Sequence, residues 1–291
     1  MIQAHSAKSE NMGKTILITG ASSGIGEACA NLFAEKGWNV VATMRDPAKS
    51  RVFNNAQNVL VSRLDVQDIA SIEHAVSEGV SRFGSIDVLL NNAGYGQYGV
   101  FEAVPREKVL EQFEVNVFGP MNVIRAVLPV MRKARSGVII NMSSGAGIFT
   151  LPMISLYSAS KFALEGFSEA LSFELLALGI VVKIVEPHGG VNATKFNERT
   201  SASKAMFAEL TDYQPFIQRS TEAFSRMSAA RLIDSGDVAR VVYEAATDGS
   251  DRLRYLVGND TRGFIKARAE LQDQEYVDLL RSHFRDAIGR P

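Results

Sequence analysis

The feature that most constrains the fold is a strand, a glycine-rich turn and a helix, which follow one another near the N-terminus. Thr15 to Thr19 is a β-branched apolar run, and Gly20-Ala21-Ser22-Ser23-Gly24-Ile25-Gly26 comes directly after it. Apolar residues then recur at helical spacing as far as Gly37. Plain turns also use glycine, but between this strand and this helix the pattern favours a nucleotide-binding site, with a pyrophosphate at the helix start. Its predicted contacts are Gly20, Ser22, Ser23, Gly24, Ile25 and Gly26.

The end of the second strand bears on the choice of cofactor. The strand is predicted from Val40 to Met44, and Arg45 and Asp46 follow it. In dinucleotide folds an acid near this point binds a ribose 2′-hydroxyl, whereas an arginine suits a 2′-phosphate. Asp46 stands directly before Pro47, so we interpret it as the N-cap of a short helix. Arg45 therefore predicts NADP(H) in preference to NAD(H), with a solvated surface charge as the alternative.

Two further strand ends supply candidate cofactor contacts. Val59 to Leu64 is a predicted strand, and the next helix is predicted from Asp68 to Phe83. Asp65 and Val66 lie between them and are candidate cofactor contacts. Asp65 either contacts the adenine or helps to start that helix. A fourth strand, Ile86 to Leu90, runs into Asn91, Asn92, Ala93 and Gly94. These residues either line the cofactor channel or stabilise the turn.

The stretch from Asn141 to Lys161 carries the candidate chemistry. Val138 to Met142 predicts a buried strand that ends at Ser143 and Ser144, and a helical pattern begins at Ser155. Tyr157 and Lys161 lie four apart, on one helical face. A cation beside a phenol favours the phenolate, so we expect a lowered Tyr157 pKa and a group that can give and take a proton. The alternative is a packed tyrosine and a solvated lysine.

Together these motifs resemble the short-chain dehydrogenase/reductase family, across residues 14 to about 194. The matching residues are Thr19, Gly20, Gly24, Gly26, Asn91 to Gly94, Asn116, Ser144, Tyr157 and Lys161. The resemblance implies a general acid/base at Tyr157, a residue at Lys161 that lowers its pKa and holds the nicotinamide ribose, and a carbonyl-positioning serine at Ser144. It also implies that Asn116 kinks its helix and holds a water that links Lys161 to solvent. A helix-interior amide bonded to its own backbone is the alternative for Asn116.

One departure from the family pattern follows the predicted sixth strand, Ile180 to Val185. The family usually has Pro-Gly and then a threonine that binds the nicotinamide amide. Here Pro187 is followed by His188, so the register of the threonine is shifted and Thr194 is the candidate. We interpret His188 as a loop residue rather than a catalyst.

Residues 189 to about 230 are predicted to form a lid over the substrate. The aromatic and apolar residues from Phe196 to Met227 have two interpretations. They either cover an apolar carbonyl or alcohol substrate, or pack on the core or on a second subunit. Tyr95 and Tyr98 are candidates for an aromatic wall. The last strand is predicted from Arg254 to Gly258, and the charged tail is predicted to be helical and to pack on the body or a partner.

Composition limits the class of protein. With 31 basic and 32 acidic residues and no basic run, the 291-residue chain lacks the charge pattern of a nucleic-acid-binding protein. No apolar run predicts a membrane span, and no cysteine and histidine cluster predicts a metal site. The single cysteine, Cys29, falls on an apolar helical face and suits a reducing cytoplasm. Residues 1–12 lack a signal-peptide pattern and are interpreted as a flexible extension, with Met1 and Met12 both open as the start.

The sequence therefore predicts a single Rossmann-like domain, residues 13–291, with a doubly wound parallel sheet. The predicted function is reversible hydride transfer between NADP(H) and an alcohol and carbonyl pair, with a small apolar substrate and no metal. The family resemblance adds a homo-oligomer, either dimer or tetramer. One alternative is a catalytically idle NADP-binding sensor or interaction module. Another is a sugar-nucleotide epimerase, which would be expected to have a longer substrate domain and a different glycine spacing.

Overall fold

Seven strands form one parallel sheet in the computed structural model, which describes residues 13–50, 57–188, 210–228, 233–260 and 262–289. Each strand predicted from the sequence is present, with small differences at the ends. The strands are β1 Thr15–Ile18, β2 Asn39–Met44, β3 Val59–Arg63, β4 Val88–Asn91, β5 Gly137–Met142, β6 Ile180–Pro187 and β7 Arg254–Val257.

The strand order is β3-β2-β1-β4-β5-β6-β7, and every neighbouring pair is parallel. The chain winds outward from β1 in one direction through β2 and β3. It then returns to the other side of β1 at β4. Ligands in such open sheets bind outside the carboxyl ends of the strands, at the point where the winding reverses. Here that point is the crevice between the ends of β1 and β4.

Helices cover both faces of the sheet, as predicted. They are α1 Gly24–Glu35, α2 Ile69–Phe83, α3 Arg106–Phe113, α4 Gly119–Ala134, α5 Ser155–Leu176, α6 Gln214–Ser228, α7 Ser235–Thr247, α8 Phe264–Glu270, α9 Asp273–Ser282 and α10 Arg285–Ile288. Alternate strand residues face opposite ways, so Ile16 and Ile18 pack with α1 and α7, while Leu17 packs with α2, α4 and α5. This is the doubly wound, Rossmann-like architecture expected from the sequence.

Local signals in the sequence set the helix ends. Asp68 caps α2 by accepting a hydrogen bond from the Ser71 backbone N–H at 3.2 Å, and Gly84 ends the helix in the left-handed region at φ +85°. Asp46 is the N-cap of a short 3₁₀ helix that begins at Pro47, as the Asp-Pro pair predicts. Cys29 lies wholly buried in the core, where burial raises the pKa of its thiol.

A π-helical turn, Glu114–Phe118, joins α3 to α4. Such turns insert an extra residue into a helix and often occur at functional sites. Asn116 lies in this turn and is buried. The family resemblance implies that the helix is irregular at Asn116, and the structure has such an irregularity there.

The C-terminal tail forms the helices α8, α9 and α10, which pack on the body of the protein. Phe264 and Tyr276 are buried against Phe149, in the segment that follows Ser144. The Tyr276 hydroxyl also accepts a hydrogen bond from the Thr150 backbone N–H at 3.4 Å. The tail therefore lies next to the loop that carries the candidate site.

Candidate active site

The glycine turn after β1 places the N-terminus of α1 at the crevice. Gly20 and Gly24 adopt φ values of +70° and +60°, in the left-handed region that favours glycine. A Cβ atom at Gly26 would lie 2.3 Å from the Gly20 carbonyl oxygen, so the turn has no room for a side chain there. Ser23 is the N-cap of α1, but its side chain makes no capping hydrogen bond. The first amide groups of α1 are therefore not capped by this side chain and suit an anion.

Thr19 and Asn92 fasten the turn to the end of β4. The backbone N–H groups of Asn92 and Ala93 both donate to the Thr19 hydroxyl at 3.0 Å. The Asn92 side-chain amide donates to the Thr19 carbonyl at 2.9 Å and to the Gly20 carbonyl at 3.2 Å. Of the two interpretations of this motif, the structure shows stabilisation of the turn, and contact with a cofactor stays a prediction.

Arg45, Asp65 and Val66 lie at the ends of β2 and β3, on the same edge of the sheet. Arg45 is exposed and makes no hydrogen bond or ion pair within the described part of the chain. The Asp65 carboxylate accepts a hydrogen bond from the Gln67 backbone N–H at 3.1 Å, so it closes a local turn ahead of α2. Val66 is buried. Their roles toward a cofactor stay predictions.

Ser144, Tyr157 and Lys161 come together at the end of β5. Ser144 follows that strand, and its hydroxyl lies close enough to the Tyr157 phenol to act on the pKa of that phenol. Lys161 lies one turn further along α5, with its Nζ atom 5.8 Å from the centre of the Tyr157 ring. The Lys161 ammonium is buried and donates to the Met142 carbonyl at 2.7 Å. The lysine is therefore held inside the protein, which excludes a solvated surface position.

The expected direction of the Tyr157 pKa is wrong for this structure. Burial raises the pKa of the phenol to about 12, and the nearby Ser144 hydroxyl opposes that rise only in part. Burial also lowers the pKa of Lys161 to about 8, against the attraction of Glu165. A fully charged lysine in a solvated site would lower the pKa of its phenol neighbour, whereas desolvation here disfavours both charged groups. Tyr157 therefore retains its proton at neutral pH.

Asn116 is held at three points in the turn between α3 and α4. Its Oδ1 atom accepts from the Tyr95 backbone N–H at 3.1 Å, and its Nδ2 atom donates to the Tyr95 carbonyl at 2.9 Å and the Ser160 hydroxyl at 3.1 Å. Ser160 donates in turn to the Tyr157 carbonyl at 2.7 Å. Asn116 thus connects the segment after β4 to the helix that carries Tyr157 and Lys161. These bonds go to other segments, and the water link stays a prediction.

A family model described as short chain dehydrogenase matches residues 14–205, which is most of the chain. This chain belongs to the short-chain dehydrogenase family. An uncharacterized oxidoreductase of Schizosaccharomyces pombe is 38% identical over 235 residues, covering 80% of this chain and 96% of that protein. The 3-ketodihydrosphingosine reductase of Bacteroides thetaiotaomicron is 41% identical over 211 residues, covering 72% and 76%.

A solved structure gives the same fold. The short chain dehydrogenase/reductase from Burkholderia phymatum, in complex with NAD, superimposes with a TM-score of 0.75 at 26% identity, covering 92% of this chain and 95% of that one. Together with the family match, this likeness identifies an oxidoreductase family and supports a nicotinamide cofactor. It leaves the choice between NAD and NADP open.

The far end of the site in this short-chain dehydrogenase holds Pro187 and His188. Pro187 ends β6. The buried His188 side chain lies with its Cβ atom next to Gly145 and its imidazole ring next to Gly258. No described residue hydrogen-bonds to either ring nitrogen, and burial lowers the pKa of the imidazole. His188 therefore lies in the loop after β6, as expected, and its side chain is packed there. Thr194 lies outside the described residues.

Only part of the predicted lid can be compared with the structure. Residues 189–209 lie outside the described residues, and α6 covers most of the remainder. Tyr98 contacts α6 through Phe224, with ring centres 6.2 Å apart, and its hydroxyl lies 3.3 Å from the Met153 sulfur. Met153 itself adopts φ +63°, which is uncommon for a residue with a side chain. An apolar, aromatic wall therefore flanks the segment between Ser144 and Tyr157.

Sequence reasoning missed several buried polar residues of the site. Gln112 accepts from the Gln97 backbone N–H at 2.6 Å and donates to the Tyr95 carbonyl at 2.9 Å, supporting the same segment as Asn116. The only signal was a second amide four residues before Asn116. Two carboxyl groups, Glu165 and Glu186, are buried near Lys161.

Within the described ranges, no cluster of metal-ligating side chains is found, and no helix is long and apolar enough to cross a membrane.

Proposed function

We propose that this protein is an NADP(H)-dependent oxidoreductase that interconverts an alcohol and a ketone or aldehyde, with an apolar substrate. The observation that carries the proposal is that Ser144 and Tyr157 lie close enough for the Ser144 hydroxyl to act on the pKa of the phenol, with Lys161 buried one helical turn away. A phenol that keeps its proton at neutral pH is a proton donor for a carbonyl oxygen. The intact set of Ser144, Tyr157, Lys161 and Asn116 argues against a catalytically idle module.

The crevice suits a dinucleotide. The turn that holds Gly20, Ser22, Ser23, Gly24, Ile25 and Gly26 presents helix-end amides to a pyrophosphate. Asp65, Val66, Ala93, Gly94, Pro187 and Thr194 complete the proposed contacts. Arg45 is exposed beside this turn and suits the 2′-phosphate of NADP(H). When bound, the nicotinamide supplies or accepts the hydride.

Within the chain, each proposed catalytic residue has a separate task. Ser144 holds the substrate oxygen, and Tyr157 gives that oxygen a proton during reduction or removes it during oxidation. Lys161 stabilises the phenolate that Tyr157 becomes after proton donation. Asn116 acts as a positioning residue through Tyr95 and Ser160, and we retain the proposal that it holds a water near Lys161.

Two observations support an apolar carbonyl or alcohol as substrate. Tyr98, Met153 and Phe224 form an apolar wall beside the catalytic segment. The Bacteroides relative is named as a reductase of a 3-keto compound. Both features favour reduction of a ketone in an apolar setting.

A Tyr157→Phe substitution tests the mechanism. We expect the variant to bind NADPH like the wild type and to lose turnover of decanal or benzil by at least about 100-fold, since the proton donor is gone. Tyr243→Phe is the matched control, because Tyr243 packs against Phe33 and Trp38 on the other face of the sheet. Turnover that survives in Tyr157→Phe contradicts the proposed mechanism.

Arg45→Ala, in the same assays, tests the cofactor. We expect weaker NADPH binding with little change for NADH. Equal or tighter NADH binding by the wild type would overturn the use of Arg45, and no binding of either would favour the idle module.

We also propose a homo-oligomer in the cytoplasm. Exposed Phe173 and Leu176 on α5, at 76% and 52% exposure, support self-association, and the single buried cysteine suits a reducing compartment. Sedimentation of the purified protein reports the number of subunits.

A further inference from the structure

Two carboxyl groups, Glu165 on α5 and Glu186 on β6, are buried next to each other behind the catalytic segment. Their exposed fractions are 7% and 3%. Both carboxyl groups lie within 4 Å of the Nε atom of Arg254, so their negative charges would be close together if both were ionised. Charged carboxylates are rarely buried without enough cations to balance them.

The guanidinium of Arg254 contacts both acids of the pair. Arg254 on β7 has its Nε atom 3.2 Å from Glu165 and 3.6 Å from Glu186, but its Nη2 atom also binds Glu169 at 2.5 Å. Three carboxyl groups thus share one guanidinium. Burial and the neighbouring Glu165 raise the pKa of Glu186 to about 8, which agrees with a proton held by the pair at neutral pH.

The pair lies close to Lys161. Glu165 is four residues beyond Lys161 on α5, so the two side chains are neighbours on one helical face. The Lys161 ammonium binds the Met142 carbonyl. The next residue, Ser143, donates its backbone N–H to the carbonyl of Val185, which directly precedes Glu186. One polar layer between α5 and the sheet therefore contains the lysine, the serine and both acids.

Three buried oxygen atoms in this layer have no hydrogen-bond partner among the described residues: Ser143 Oγ, Glu165 Oε1 and Glu186 Oε1. Buried polar atoms of native proteins are nearly always paired, with protein groups or with bound water. A Cβ atom at Gly147 would lie 2.9 Å from Ser143 Oγ and 3.3 Å from Glu165 Oε1, so both atoms face the same small space. A water bound there would connect the serine to the acid pair.

The acid pair also has access to solvent. A groove of about 550 Å³ is lined by Gly147, Glu165, Glu169, Glu186, Arg252 and Arg254. Arg254 is 42% exposed at its side chain, and Glu169 is 51% exposed. Protons from solvent can therefore reach the pair through this groove.

We propose that Glu165 and Glu186 form a proton reservoir, which resupplies Lys161 and Tyr157 by way of Ser143 and refills from the groove at Arg254. The inference rests on the proposed reduction of a carbonyl, in which each turnover moves one proton from the Tyr157 phenol to the product oxygen. The phenolate then takes a proton from the Lys161 ammonium, and the lysine amine takes one from the acid pair. The pair, now more negative beside Arg254, takes a proton from solvent. Glu165 and Glu186 are positioning and relay residues and touch no substrate.

A Glu165→Gln substitution keeps the shape of the side chain but removes its ionisable proton. The test measures kcat for reduction of decanal or benzil, whichever the wild type reduces faster, from about pH 6 to about pH 9. We expect wild-type kcat to fall only above about pH 8, where the pair and Lys161 both lose protons. In Glu165→Gln we expect kcat at about pH 8 to be roughly tenfold lower and to be restored by added imidazole, a small proton donor.

Glu169→Gln is the matched control, because it also removes a contact to Arg254 but lies outside the buried pair. We expect its pH profile to follow the wild type. Ser143→Ala keeps the Arg254 ion pairs and should behave like Glu165→Gln, which separates proton supply from folding. The proposal is overturned if the dependence of kcat on pH in Glu165→Gln matches that of the wild type and kcat does not respond to imidazole. It is also overturned if Glu165→Gln loses thermal stability while the pH dependence of kcat is unchanged.

An infrared readout does not need turnover. The purified protein near neutral pH should show the band of a protonated carboxyl group, and Glu165→Gln and Glu186→Gln should each remove or shift it. Absence of that band in the wild type would overturn the reservoir. If Tyr157→Phe keeps its turnover, the proposed mechanism fails instead, whatever the infrared result.

Discussion

Gly26 and Gly166 are both helical glycines, but their surroundings differ. A Cβ atom at Gly26 would lie 2.3 Å from the Gly20 carbonyl oxygen and 2.5 Å from the Asn92 amide nitrogen. At Gly166, on the exposed side of α5, no heavy atom lies within 4 Å of such a Cβ. The two positions therefore separate a glycine that the turn requires from one that a helix merely tolerates.

We expect Gly26→Ala to destabilise the protein by about 1–3 kcal/mol, since backbone atoms must move to accept the methyl group. The same movement displaces the start of α1, so NADPH binding should weaken. Gly166→Ala should stabilise the protein by about 0.5–1 kcal/mol, because alanine restricts the unfolded chain and favours the helix. Urea unfolding and NADPH titration of both variants provide the measurement. A Gly26→Ala variant with wild-type stability and affinity would contradict the tight turn.

At the scale of elements, β6, β7 and the end of α7 are joined by a buried ion pair. Lys183 is 2% exposed and donates to the Asp248 carboxylate at 2.5 Å and to the Tyr255 hydroxyl at 2.9 Å. Tyr255 and Ser250 also donate to Asp248, at 2.5 Å and 2.9 Å. Partial burial acts to raise the pKa of Asp248, but the bonds from Lys183 and Tyr255, with others around them, outweigh it and hold that pKa well below its usual value of 3.8.

We expect Asp248→Asn to destabilise the protein by about 2–4 kcal/mol at neutral pH, because it leaves the Lys183 ammonium buried without its counter-ion. A carboxylate with a depressed folded pKa stabilises the fold above its usual pKa, and this contribution is lost as pH falls toward the folded pKa. The difference between wild type and variant should therefore shrink below about pH 4. Denaturant unfolding at several pH values tests this, with the exposed Asp251→Asn as control. A difference that does not depend on pH would contradict the ionic origin.

The contrast between strands and buried polar contacts explains what the sequence could predict. The seven strands could be predicted because each is a short apolar run followed by a turn. The pattern of apolar residues in the sequence directly reflects which residues are buried. Ser144, Tyr157 and Lys161 were predicted because their spacing is local. The acid pair was not, since Glu165 and Glu186 are distant in the chain and each alone resembles a surface residue. The Tyr157 pKa was misjudged for the same reason, because desolvation depends on the packing of segments far apart in sequence.

At the scale of the whole molecule, the C-terminal tail connects the last helices to the substrate end of the site. Phe284, which directly precedes α10 and is 2% exposed, packs against Phe224 of α6 with ring centres 5.4 Å apart. Phe224 in turn contacts Tyr98, beside Met153. Arg219 of α6 also donates to the Asp286 carbonyl at 2.9 Å. A single row of aromatic contacts thus runs from the tail to the proposed substrate wall.

We expect Phe284→Ala to lower the free energy of unfolding by at most about 3–5 kcal/mol, because it removes a buried aromatic ring. If α6 and the tail unfold before the sheet does, the loss of stability is confined to those two segments. Because the sheet holds Ser144, Tyr157 and Lys161, kcat should change little, while KM for decanal or benzil should rise as the wall loosens. Ile288→Ala, on the same helix but 39% exposed, is the control and should leave both constants unchanged. Hydrogen exchange should show faster exchange in residues 214–228 and 264–289 of Phe284→Ala alone. If exchange instead rises equally across the sheet strands, the tail belongs to the main folding unit, and the row of aromatic contacts does not act on the substrate wall separately from the sheet.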